Sequence, residues 1–184
     1  MEIYGYFQSE NYFKHNKEKI CAFFEPSIEI TKHLTTKYQD LLEHPNTVAI
    51  HMRAYKIENP DIEKCFPFLS GEFFMKAAEQ FSEDALFVIF SDEMGWAKEE
   101  MKNFTRPHIF IEKETHYHDL YLMSFCKHQI ISTSSFSWWG AYLNKNPSKI
   151  VVAPYPWFTP ISGHDSSHVI PEGWRTASWQ QEIP

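Results

Sequence analysis

Short apolar runs alternate with stretches of helical spacing along this chain. Thr47-Val48-Ala49-Ile50 follows the breaker His44-Pro45-Asn46 and reads as a buried strand. Further strands are expected at 85–90, 107–111, 129–132 and 149–153. Helical patterns lie between them at 71–82, 93–103, 118–126 and 136–145, the last ending before Pro147. Asp92 is placed to cap the helix at 93–103. Upstream, 10–24 is a mixed helical stretch. Pro26-Ser27 then opens a helix to about residue 43, with Ile28, Ile30, Leu34, Tyr38, Leu41 and Leu42 near helical spacing. Proline and tryptophan dominate 154–184, which reads as loops with at most one short helix.

Strand–helix alternation of this kind predicts an α/β fold, a parallel sheet covered on both faces. Such sheets bind ligands outside the carboxyl ends of their strands. That rule selects 51–56, 91–92 and 133–136, and polar or charged residues occupy all three.

Composition narrows the function classes. Hydrophobic residues make up 43% and aromatics 17% of 184 residues, which argues for a packed core over disorder. A net charge of -7 disfavours a nucleic-acid partner, which requires a basic stripe. Cys21, Cys65 and Cys126 form no CxxC pattern and read as reduced thiols. The first residues lack a basic n-region and an apolar h-region, and no apolar run approaches the ~18 residues of a membrane span. These features point to a cytoplasmic chain without a transmembrane segment.

Three clusters carry candidate chemistry. His51-Met52-Arg53 follows the first strand, where an arginine fork suits phosphate oxygens; pairing with a surface carboxylate is the structural alternative. Ser132-Thr133-Ser134-Ser135 precedes a helix starting near Phe136. Its hydroxyls and the helix N–H groups can seat a phosphate, or a serine can simply cap the helix. Asp119 at a helix start can accept hydrogen bonds from a purine or favour the helix dipole. His116 and His118 with Asp119 specify no third ligand in a zinc pattern, so no metal is expected. Trp138-Trp139 suits packing against the sheet.

Longer segments carry a family likeness. Gly5 through Phe13 reads GYFQSENYF; Phe90-Ser91-Asp92-Glu93 is followed by Trp96; and Asp119 through Asn144 reads DLYLMSFCKHQIISTSSFSWWGAYLN. Lys149 through Phe158, KIVVAPYPWF, and Ile170 through Trp174, IPEGW, continue the pattern. Together they resemble the bacterial α-1,2-fucosyltransferases of glycosyltransferase family 11. The resemblance implies the Rossmann-like, nucleotide-sugar-binding lobe of a two-lobed GT-B enzyme that inverts at the anomeric carbon without a metal. It implies GDP-fucose as donor, no further cofactor, and a β-galactoside hydroxyl as acceptor. By this likeness His51 approaches the nucleoside, Arg53 the β-phosphate of the leaving group, and Asp119 the guanine. Ser134, Ser135 and Phe136 approach the diphosphate, and Ser91 and Asp92 complete the donor edge. Residues 1–184 are then one donor-binding domain, with 159–184 a loop-rich tail. The acceptor-side lobe with its GLGNQ-type turn is expected from a segment or partner chain outside this sequence.

The sequence also departs from the family pattern. Ala54 and Lys56 replace the second arginine and the aspartate of HxRRxD, Thr133 replaces an asparagine, and Phe73-Phe74 replaces a tyrosine pair. These changes bear on donor identity and on turnover, and leave donor binding without transfer as the alternative reading.

Overall fold

In the computed structural model, which describes residues 9–55 and 60–180, all five expected apolar runs become strands. Lys56 and the Gly5–Gln8 part of the family likeness lie outside the described residues. The strands are β1 (Thr47–Met52), β2 (Leu86–Ser91), β3 (His108–Phe110), β4 (His128–Ile130) and β5 (Val151–Tyr155). A sixth, β6 (Arg175–Ser178), pairs with β5. Every pairing is parallel, and the order across the sheet is β3-β2-β1-β4-β5-β6. The reading of 154–184 as loops with a short helix captured the 3-10 turn Pro160–Ser162 but omitted β6. Its four residues, Arg-Thr-Ala-Ser, are mostly exposed at the sheet edge and carry no apolar run for a pattern to register.

The helices are α1 (Lys17–Phe23), α2 (Ile28–Lys37), α3 (Gln39–Glu43), α4 (Pro60–Cys65), α5 (Gly71–Ala78), α6 (Met94–Glu100), α7 (His116–Phe125) and α8 (Ser135–Tyr142). The single helix expected up to residue 43 is two, because Tyr38 leaves helical geometry at φ -116 and ψ 30. No described helix is long and apolar enough to cross a membrane.

Strand pleating sorts the core. Val48, Ile50 and Met52 of β1 join Phe87, Ile89, Ile130 and Val152 beneath Phe74 and Ala77 of α5 and Ala97 of α6. The alternate positions, Ala49, Val88 and Phe90, face Leu34 of α2 and Leu122 and Met123 of α7. Val151 and Ala153 pack under Trp138 and Ala141 of α8. Trp138 is fully buried and its indole N–H donates to the Val169 carbonyl at 2.8 Å, so it is a packing residue as expected. His51 falls in the same β1 alternation as Ala49, on the side of the sheet covered by α7 and α8.

At one position α5 and α6 leave no room for a side chain. A Cβ on Gly71 would lie 2.3 Å from the Glu100 carbonyl oxygen, while the Gly71 N–H donates to Glu100 Oε2 at 2.6 Å. The obstacle is backbone and cannot swing aside. Gly71→Ala is therefore expected to destabilise by about 1–3 kcal/mol, seen as a melting temperature several degrees lower. An unchanged melting curve would show that the α5–α6 contact relaxes freely.

Candidate donor site at the carboxyl edge

From β1 the chain proceeds outward to β2 and β3; from β4 it proceeds the other way to β5 and β6. The loops after β1 and β4 therefore diverge, and the crevice between them is the place where such sheets take ligands. Tyr55 ties the two loops together. Its hydroxyl donates to the Thr133 carbonyl and lies 3.3 Å from Thr133 Oγ1, while its ring stacks on Phe66 at 5.5 Å.

His51 is the penultimate residue of β1 and only 5% exposed. Its Nδ1 lies 3.0 Å from Ser132 Oγ, and the Phe136 ring is 5.5 Å away. Burial, helped by the Arg53 charge, pushes its pKa down to about 3, so the imidazole is neutral at working pH. The free imidazole of an unfolded chain titrates near 6.5. Unfolded protein thus binds the proton first, and stability is lost as pH falls from about 6.5 toward 3. Each unit of acidification in that window removes up to about 1.4 kcal/mol through this residue. Denaturant melts of wild type and His51→Asn across the window are expected to show the flatter profile for the variant. Parallel profiles would assign the acid sensitivity elsewhere.

Arg53 stands just past the strand with its side chain 43% exposed. Its Nη1 is 2.9 Å from Asp92 Oδ2, and its guanidinium lies 5.7 Å from the Tyr55 ring centroid. Asp92 Oδ1 accepts the Ala54 N–H at 2.9 Å. Asp92 therefore clamps the β1 loop and does not cap α6, whose N-cap position is taken by Glu93. The expected cap fails because the carboxylate has a cation and an N–H donor across the sheet edge. Ser91 Oγ is used locally, accepting the Glu93 N–H at 3.0 Å. Both readings of Arg53 remain compatible with this geometry: a guanidinium has five donors, so one edge can hold Asp92 while another takes phosphate oxygens.

After β4, Ser134 is the N-cap of α8, its Oγ accepting the Phe136 N–H at 3.3 Å. Ser135 is the exposed first residue of that helix, and Phe136 is half-buried against the α7 side of the core. Ser132 and Ser137 are buried and hydrogen-bond near the His51 ring. The capping alternative is thus realised by Ser134, leaving Ser135 and the helix start toward the crevice edge.

Asp119 sits in the first turn of α7, which Thr115 caps by accepting the His118 N–H at 3.4 Å. Among the described residues its Oδ1 is buried without a hydrogen-bond partner. Burial, then the neighbouring Glu114 charge, push its pKa up to about 6 against the opposing effect of His118. A dipole partner would remain solvated; an unpaired buried carboxylate oxygen instead suits a donor brought by a ligand. Sequence reading brought His51, Arg53, Asp92, Ser134, Ser135 and Phe136 to one crevice and put Asp119 at the same sheet edge. It missed Tyr55, which carries no motif signal and acts through a contact 78 residues away.

Comparison with known proteins agrees with this architecture. The profile described as glycosyl transferase family 11 matches residues 1–172. The O-antigen biosynthesis glycosyltransferase WbnK of Escherichia coli is 30% identical over 181 residues, covering 94% of this chain and 59% of that protein. An alpha-1,2-colitosyltransferase of Escherichia coli is 35% identical over 167 residues, covering 86% of this chain and 56% of that protein. The chain thus spans less than two thirds of the length of these curated relatives. Among solved structures, a glycosyl transferase family 9 protein from Veillonella parvula shares the fold, with a TM-score of 0.53 at 16% identity over 84% of this chain and 41% of that one. With its parallel Rossmann-like sheet of the GT-B type, the chain belongs to glycosyltransferase family 11.

Proposed function

We propose that this chain binds a GDP-sugar, with GDP-fucose the preferred donor, and supports inverting transfer of the sugar to a β-galactoside hydroxyl. The observation that carries the reading is the buried Oδ1 of Asp119, unpartnered among the described residues, at the edge where Arg53 and the start of α8 also lie. Guanine presents its N1–H and exocyclic amine side by side, a donor pair that one carboxylate can accept. Arg53 and the α8 N–H groups then meet the diphosphate. Charge builds on that group as the glycosidic bond breaks, so a fixed cation there favours the transition state over the ground state. The acceptor hydroxyl attacks the anomeric carbon from the opposite face. His51, at a pKa of about 3, is a poor base, and its role is to hold the nucleoside side of the crevice through neutral contacts.

Ala54, where the family pattern has a second arginine, favours a second reading: donor binding without turnover. Calorimetry with GDP and UDP, followed by a transfer assay with GDP-fucose and a β-galactoside, separates the two. Tighter GDP binding with transfer supports the first reading, and tighter GDP binding alone supports the second. Equal affinity for GDP and UDP overturns both.

A further inference from the structure

The fold assembles a ligand set that sequence spacing could not reveal. Glu114 precedes α7, and its side chain is only 3% exposed. The ring nitrogens of two histidines meet this carboxylate: His33 Nε2 of α2 at 3.2 Å and His118 Nδ1 of α7 at 2.7 Å. The two imidazoles stack on each other at 4.3 Å with 19° between their planes. One ligand atom from each of the three residues lies within 4.8 Å of the others. Lys37 also reaches Glu114 Oε1, and the Tyr38 hydroxyl donates to it at 2.9 Å. Lys37 is 46% exposed, so its ammonium is a mobile cation resting on a fixed carboxylate.

We propose that His33, Glu114 and His118 form a transition-metal site of the zinc class, fastening α2 to the first turn of α7. Two imidazoles and one carboxylate are a standard zinc donor set, and a fourth position is left for water. Tetrahedral zinc with bonds of about 2.0–2.2 Å needs its ligand atoms roughly 3.4 Å apart. Side-chain adjustments of about an ångström reach that arrangement, and the metal takes the place of the Lys37 ammonium. The expectation of no metal considered His116, His118 and Asp119, which are near in sequence. The structure draws on His33, 81 residues from Glu114, and leaves His116 out of the ligand set. The proposal does not depend on which nucleotide the crevice takes.

The test is calorimetry of the tag-free chain with zinc chloride, repeated with cobalt(II) to read the visible spectrum of a tetrahedral site. One saturable equivalent is expected. His33→Ala and His118→Ala should each weaken it by at least about 10-fold, since even outer-sphere changes cost 10- to 100-fold. Lys37→Ala should tighten it by removing the competing cation, and His116→Ala should leave it unchanged. Absence of a saturable equivalent, or equal affinity in His33→Ala, overturns the site. Should a histidine variant fail to fold, weaker or unaltered binding in Lys37→Ala overturns it by itself.

Discussion

Arg53→Ala is expected to weaken GDP binding by roughly 30-fold to several thousand-fold, the range that follows from about 2–5 kcal/mol for truncating one partner of a desolvated charge pair. Two effects add. The diphosphate loses its bidentate donor, and the Asp92 carboxylate, now 2.9 Å from Arg53 Nη1, is left facing an anion uncompensated. Asp92→Ala on the Arg53→Ala background should therefore recover part of the loss. Arg53→Lys should also recover part, because a point charge replaces a planar fork. Folding should change little: the Arg53–Asp92 pair is substantially exposed, and such pairs contribute at most about 1 kcal/mol. GDP titrations and thermal melts on the four proteins decide the matter. Unchanged GDP affinity in Arg53→Ala would remove the residue from the donor site. A collapsed melting temperature would instead place it in the fold, with Asp92 and the Ala54 N–H as its context.

What the sequence made legible follows from range. Strand runs such as Thr47–Ile50 announce themselves because both sheet faces are buried and each of the four residues is apolar or small; in β1 all six positions, His51 included, are buried. The helix cap at Ser134 was legible because capping is local, set by a hydroxyl and an N–H two residues on. Long-range partners were not. Nothing near Arg53 in the chain names Asp92, and nothing near His118 names His33. Local rules also misled where a tertiary partner was stronger: Asp92 has the right residue type for a cap, yet it turns to Arg53 and the Ala54 N–H. The edge strand β6 was invisible for the opposite reason, since exposed positions have no hydrophobic period to detect.

Asp119→Asn is expected to exchange one nucleobase preference for another. The wild-type carboxylate is an acceptor at both oxygens, and among the described residues its buried Oδ1 has no partner. Guanine matches it with two donors, N1–H and the exocyclic amine. Asparagine keeps one acceptor but replaces the other with an NH₂ donor, which then opposes the guanine amine. Losing charge-assisted hydrogen bonds of about 1.5–3 kcal/mol each should weaken GDP binding by roughly 10- to 150-fold or more. Xanthine carries a carbonyl where guanine carries that amine and keeps the adjacent N1–H. It therefore offers one acceptor and one donor in the same geometry, which is the complement of asparagine. Xanthosine diphosphate should bind the variant better than wild type, where its carbonyl meets a carboxylate. The fold should tolerate the change or gain from it, because a neutral amide removes a partly buried charge whose Oδ1 has no hydrogen-bond partner among the described residues. Calorimetry of both proteins with GDP, UDP and xanthosine diphosphate reads the outcome, with thermal melts as the control. A fall in GDP affinity together with a rise for xanthosine diphosphate can arise only if residue 119 touches that edge of the base. If both nucleotides keep their wild-type affinities while the melting temperature rises, Asp119 is a strained helix-dipole partner and the guanine assignment fails.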